Sequence, residues 1–151
     1  MSDIIRVSKV FTFDMGHALF GYDGPCKNIH GHTYRLTITL AGVPANNKSD
    51  VKNGMVIDFS NLKTIVHSKI INLFDHALVL NGDSPHRELD KLLTSHFEKI
   101  IYFDEQPTCE NLLIHFKNLL LPEFSSNPQL VYVKLEETPS SFAEWHLSDN
   151  K

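Results

Sequence analysis

Residues 34–40 read YRLTITL, with Tyr34, Leu36, Ile38 and Leu40 alternating against Arg35, Thr37 and Thr39. A period of two in β-branched and aromatic residues predicts a strand buried on one face and polar on the other. Upstream, Ile5, Val7, Phe11 and Phe13 alternate with Arg6, Ser8 and Thr12, which predicts a second strand ending near Asp14 to Gly16. Between the two, Gly21, Gly24 and Pro25 punctuate the chain and make a loop that carries Cys26. The two strands are expected to pair antiparallel.

Downstream, residues 43–54 form an exposed connection rich in Asn, Ser and Asp. Phe59, Leu62, Val66, Ile70 and Leu73 then recur every three or four residues, the spacing of a helix lying on a sheet, with Ser60 as its expected cap. Ser84 and Pro85 open a shorter helix through Leu89, Leu92, Leu93 and Phe97. Residues 99–103 are read as a brief strand. Thr108 caps a helix with the apolar face Leu112, Leu113, Phe116, Leu119 and Leu120, stopped by Pro122. Val131, Val133 and Leu135 give a third long strand and residues 142–147 a fourth. The pattern implies an α+β fold in which a four-stranded antiparallel sheet carries helices on one face.

The chain has 151 residues, 42% of them hydrophobic, enough for one core and short for two, so residues 1–151 are read as a single domain. A net charge of -4 argues against a nucleic-acid partner, whose phosphates call for excess Lys and Arg. No apolar run is long enough to cross a bilayer and no signal-peptide pattern opens the chain, so a cytoplasmic protein with a small-molecule ligand is expected. The two cysteines, Cys26 and Cys109, form no CxxC pair and are expected to be free thiols.

His30 and His32 flank a glycine at the mouth of the best strand, and a spacing of two puts both rings on one face of extended chain. Such a pair is usually two surface histidines. With a third imidazole it becomes a catalytic zinc site, three protein ligands and an open fourth position. His17, just past the first strand, is brought beside the second by antiparallel pairing and is the leading third ligand. Cys26, four residues before His30, is either a small buried hydrophobe or a thiol activated as base or nucleophile by a nearby cation. Asp75 and His76 close the first helix; neighbours point apart in regular structure, so joint action needs a turn, and a helix-end cation with its cap is the plainer reading. Glu110 lies in a first helical turn and Glu137 at a strand end, positions that suit dipole stabilisation or plain solvation. Either one can also grip a guanidine-like ligand edge with two hydrogen bonds.

The stretch CKNIHGHTY, preceded by His17, together with GMVIDFSNLK, FDHALVLN, PTCENLL and KLEET, resembles the 6-pyruvoyl- and 6-carboxy-tetrahydropterin synthases over roughly residues 5–147. The resemblance implies a tunnelling fold whose barrel closes by oligomerisation, as two stacked trimers, with sites between chains. It implies zinc on His17, His30 and His32, and 7,8-dihydroneopterin triphosphate as substrate. Cys26 would be the general base, with His76, oriented by Asp75, as acid-base partner. Glu137 would anchor the aminopyrimidine edge, and Glu110, Thr108 and Cys109 would complete the pterin pocket, Cys109 without a catalytic role. The four-residue spacing of Cys26 and His30 is similar to the carboxy-forming enzymes of queuosine synthesis, which release acetaldehyde and triphosphate. The pyruvoyl-forming synthase is the near alternative. A non-catalytic pterin- or metal-binding member of the fold, and a zinc hydrolase using Glu110 or Glu137, are the rivals from other classes.

Overall fold

A computed structural model describes residues 2–150. The two strands expected at the front are β1 (Ile5–His17) and β2 (His30–Gly42), antiparallel with Phe13 opposite Tyr34 and His17 opposite His30. β1 therefore runs on through His17 instead of stopping at Gly16. β5 (Gln129–Thr138) pairs with β2 and β6 (Ser141–His146) with β5, both antiparallel.

Beyond this quartet, an unexpected strand β3 (Leu78–Asn81) and β4 (Ile100–Phe103), the brief strand read at 99–103, add to the free side of β1 in parallel. The sheet is mixed and six-stranded, in the order β4-β3-β1-β2-β5-β6. The four-stranded antiparallel expectation is corrected on that point. β3 follows the first helical segment directly, and four apolar-rich residues there carry no alternation to reveal a strand.

Helices cover one face. α1 (Phe59–Val66) passes through a π-helical turn (His67–Ile71) into a short α2 (Asn72–Phe74). Asp58, not Ser60, caps α1, its carboxylate accepting the Ser60 amide at 2.8 Å. α4 (Cys109–Leu120) is capped by Thr108 as expected. Residues 85–94 form a 3-10 turn and a single turn of helix, α3 (Asp90–Thr94). Leu89, Leu92 and Phe97 stay exposed, so this piece has no apolar face packed on the core.

Phe11, Phe13 and Met15 of β1 and Tyr34, Leu36, Ile38 and Leu40 of β2 meet Leu62, Val66, Ile70, Leu112, Phe116 and Leu120 in one buried cluster. Each such side chain contributes about 1.5–3 kcal/mol by leaving water. In β5 the expected row Val131, Val133, Leu135 is broken. The register against β2 shifts after Thr39, so that Leu130 turns inward and Val131 is only half-buried. One extra residue in a bulge reverses the parity of everything before it.

Candidate active site

The rows that build the core continue past the end of the helical layer. His17 follows Phe11, Phe13 and Met15 on β1, His30 and His32 precede Tyr34 on β2, and Glu137 follows Val133 and Leu135 on β5. All four side chains therefore arrive on the covered face of the sheet, at the open end of the core.

Ligating nitrogens of His17, His30 and His32 lie within 4.8 Å of one another. The His17 ring, only 2% exposed, donates from Nδ1 to the Pro107 carbonyl at 2.8 Å. His30 Nδ1 donates to the Asn28 carbonyl at 2.8 Å. Each bond fixes a tautomer with a bare Nε2, and the two Nε2 atoms face each other at 3.1 Å. Two lone pairs at that distance repel unless a cation sits between them. Tetrahedral zinc with bonds of about 2.0–2.1 Å needs donors about 3.3 Å apart, so the donor set fits a divalent metal. Carbonyls on the far ring nitrogens are the usual orienting partners of metal-bound histidine. Burial holds His17 and His32 below the ordinary imidazole range, which favours the neutral, ligating form.

Glu137 stands against this triad, its Oε1 3.5 Å from His17 Nε2 and 3.6 Å from His32 Nε2. The same oxygen accepts the Tyr34 hydroxyl at 3.2 Å. Tyr34 is fully buried, stacked on Phe13, and burial together with the Glu137 charge drives its hydroxyl well above the ordinary phenol range. Glu137 is thus held in place by a tyrosine rather than simply solvated. Sequence reasoning read Tyr34 only as a core residue. The signal was its parity, two positions after His32 on the same face.

Beside the triad opens a pocket of about 280 Å³ lined by His17, Cys26, Thr108, Cys109, Glu110 and Glu137, among others. It gathers six of the ten candidate residues from the end of β1 and the loop after it, the start of α4 and the end of β5. Cys26 is half-buried in a 3-10 turn, Pro25–Lys27. Cys109 contributes wall rather than chemistry, since its thiol donates to the Leu135 carbonyl at 3.3 Å and burial, then Glu137, pushes it up to about 11.

Asp75 and His76 lie elsewhere. The turn they need exists, because His76 has φ 62 and its Nδ1 comes to 3.1 Å from Asp75 Oδ1. Burial works to raise Asp75, but the Asp14 amide, His76 and Lys99 outweigh it and hold the carboxyl below the usual range. His76, 76% exposed, borders a shallow depression with Asp14, His32 and Thr33 and does not line the Cys26 pocket. Within one chain the thiol and the Asp75–His76 pair therefore line different depressions, one bordered by His17 and the other by His32.

Residues 6–147 match the family described as 6-pyruvoyl tetrahydropterin synthase. A 6-carboxy-5,6,7,8-tetrahydropterin synthase of Rickettsia typhi is 38% identical, covering 93% of this chain and 99% of its own. The enzyme of that name from Haemophilus influenzae is 36% identical over 94% and 99%. The solved 6-pyruvoyl tetrahydropterin synthase of Caenorhabditis elegans superposes with a TM-score of 0.68 at 25% identity, over 96% of each chain. With a fold, a histidine triad and a sequence match that run together over nearly its whole length, the chain belongs to the 6-pyruvoyl tetrahydropterin synthase family.

Proposed function

We propose that this protein is a zinc-dependent lyase that converts 7,8-dihydroneopterin triphosphate to 6-carboxy-5,6,7,8-tetrahydropterin, releasing acetaldehyde and triphosphate. The observation that carries the reading is the cluster of three imidazoles, two with a bare Nε2, beside a pocket that His17 lines together with one accessible thiol and two carboxylates. Relatives at 34–38% identity named as carboxy-forming enzymes support the product.

His17, His30 and His32 would hold the zinc ion, which when bound supplies Lewis acidity to the hydroxyls of the substrate side chain. Cys26 takes a proton from that side chain as general base. His76, turned by Asp75, acts as its acid-base partner. Glu137 meets the aminopyrimidine edge, where a carboxylate accepts two parallel N–H bonds, and Glu110, Thr108 and Cys109 form the rest of the pterin pocket. The separate openings of Cys26 and His76 in one chain favour a site completed by a second subunit, in keeping with two stacked trimers. Among the described residues no helix is long and apolar enough to cross a membrane; the proposed location is the cytoplasm, and the proposed pathway is queuosine synthesis.

A second reading, triphosphate elimination that leaves a pyruvoyl side chain, has the C. elegans neighbour in its favour. Incubation with dihydroneopterin triphosphate, with and without a chelator, separates the two by product mass. Carboxy-tetrahydropterin with acetaldehyde is the expected outcome, lost on chelation and lost in Cys26→Ala. A pyruvoyl product selects the second reading, and unchanged substrate with the metal-loaded protein sinks both.

A further inference from the structure

The loop between β1 and β2 that carries Cys26 has little of its own to hold it. It contains Gly21 at φ +73 with open space around it, exposed Phe20, Tyr22 and Ile29, and one cross-loop backbone bond, Leu19 N to Cys26 O at 2.9 Å. Besides the edge contact of Phe20 on the His86 ring at 5.2 Å, what ties the first half of the loop to the segment before α4 is one side chain. Gln106 accepts the Phe20 amide on Oε1 at 3.0 Å and donates from Nε2 to the Phe20 carbonyl at 2.6 Å. A primary amide that meets both polar groups of one residue reproduces a strand bridge, with both bonds aligned.

The main chain at the same position is equally engaged. The Gln106 carbonyl accepts the Thr108 amide at 2.8 Å and Asn111 Nδ2 at 2.9 Å, which fixes the first turn of α4 and so Glu110. The next carbonyl, Pro107 O, is the one that orients His17. Gln106 is therefore where the thiol loop, the backbone that aims a metal ligand and the helix carrying a pocket carboxylate come together.

We propose that Gln106 is a positioning residue of the active site, acting through its side chain on the Cys26 loop alone. The backbone contacts survive any side-chain change, so His17 keeps its carbonyl and the cation site is untouched. What is lost without the amide is the fixed distance between the Cys26 sulfur and the histidine triad, and a misplacement of about 1 Å is enough to cost about 100-fold in rate. The inference rests on the lyase reading for its kinetic arm only.

The test uses Gln106→Ala, Gln106→Met and Gln106→Glu in the full-length protein. Methionine keeps the volume without either hydrogen bond, and glutamate keeps the acceptor for the Phe20 amide while losing the donor. Three quantities are read: kcat and KM with dihydroneopterin triphosphate, zinc affinity by chelator competition, and the rate of Cys26 carboxamidomethylation by iodoacetamide, located by peptide mass spectrometry. Expected are a kcat lower by about 10- to 100-fold in both Ala and Met variants with a milder loss in Glu, a changed Cys26 alkylation rate in the same order, and zinc affinity within about twofold of wild type. A Met variant that matches wild type in alkylation overturns the proposal by showing that bulk suffices. Loss of zinc affinity together with alkylation changes also overturns it, because the residue then only maintains the fold. If wild type turns over no substrate, the lyase reading fails while alkylation and zinc binding still decide the role of Gln106.

Discussion

At the scale of single residues, the histidine triad takes its chemistry from what stands behind each ring. His17 and His30 are fixed by backbone carbonyls, and Glu137 by the hydroxyl of Tyr34. Tyr34→Phe keeps the stacking on Phe13 and deletes only that hydrogen bond. Because Glu137 remains partly open to water, the stability loss should be near 1 kcal/mol, the ordinary worth of one such bond. The larger effect belongs to ligand binding, since the carboxylate then swings freely. A rise in KM of about tenfold with little change in kcat is expected, measured by steady-state kinetics; equal losses in both constants would place Tyr34 in the chemical step instead.

At the scale of elements, the approach of β1 to β2 is governed by a pair of glycines. Gly16 faces Gly31 across the ladder, and a Cβ added at Gly31 would meet the Met15 carbonyl at 3.1 Å. That contact is with backbone, so the Met15 carbonyl and the ladder around it must give by a few tenths of an ångström. Gly31→Ala should move His30 and His32 away from His17 and weaken zinc binding by about 10- to 100-fold, the size of effect seen when the support of a metal ligand is disturbed. Chelator competition measures it, and unchanged affinity would show that the ladder yields elsewhere. The main strands, two of the helices and the convergence of His17, His30 and His32 were legible in the sequence, because they rest on local periods, two in β1 and β2 and three to four in α1 and α4. The bulge at Val131, strand β3 with its parallel pairing to the expected strand β4, and the clamp at Gln106 were not. These depend on pairings between distant segments, and no spacing within a single segment encodes them. The helix expected after Ser84 does start at that cap with Pro85 in its first turn, but it stays a 3-10 turn and one α-helical turn, a local period with no core surface to pack against.

For the molecule as a whole, the triad makes stability depend on pH. Burial depresses His17 and His32 in the folded state, while in the unfolded chain they titrate near 6.5. Above that value both states are neutral and the folded protein keeps its full stability. As pH falls below it the unfolded state takes up protons first, and stability drains until the folded pKa is passed. Metal-free protein should therefore melt lower at pH 5.5 than at pH 7.5, by about 2–4 °C for each kcal/mol lost, and zinc should raise the melting point most at the higher pH. Calorimetry with and without chelator checks both, and a midpoint independent of pH would contradict the burial of these rings. The Pro107 carbonyl that aims His17 lies 90 residues further along the chain, and Glu137 follows Tyr34 by 103. A polypeptide emerging from the ribosome thus exposes His17 long before the carbonyl that orients it exists, while His30 finds its own only two residues away. On the proposed metal reading, the site is complete only after synthesis, when the last third of the chain has closed over the first.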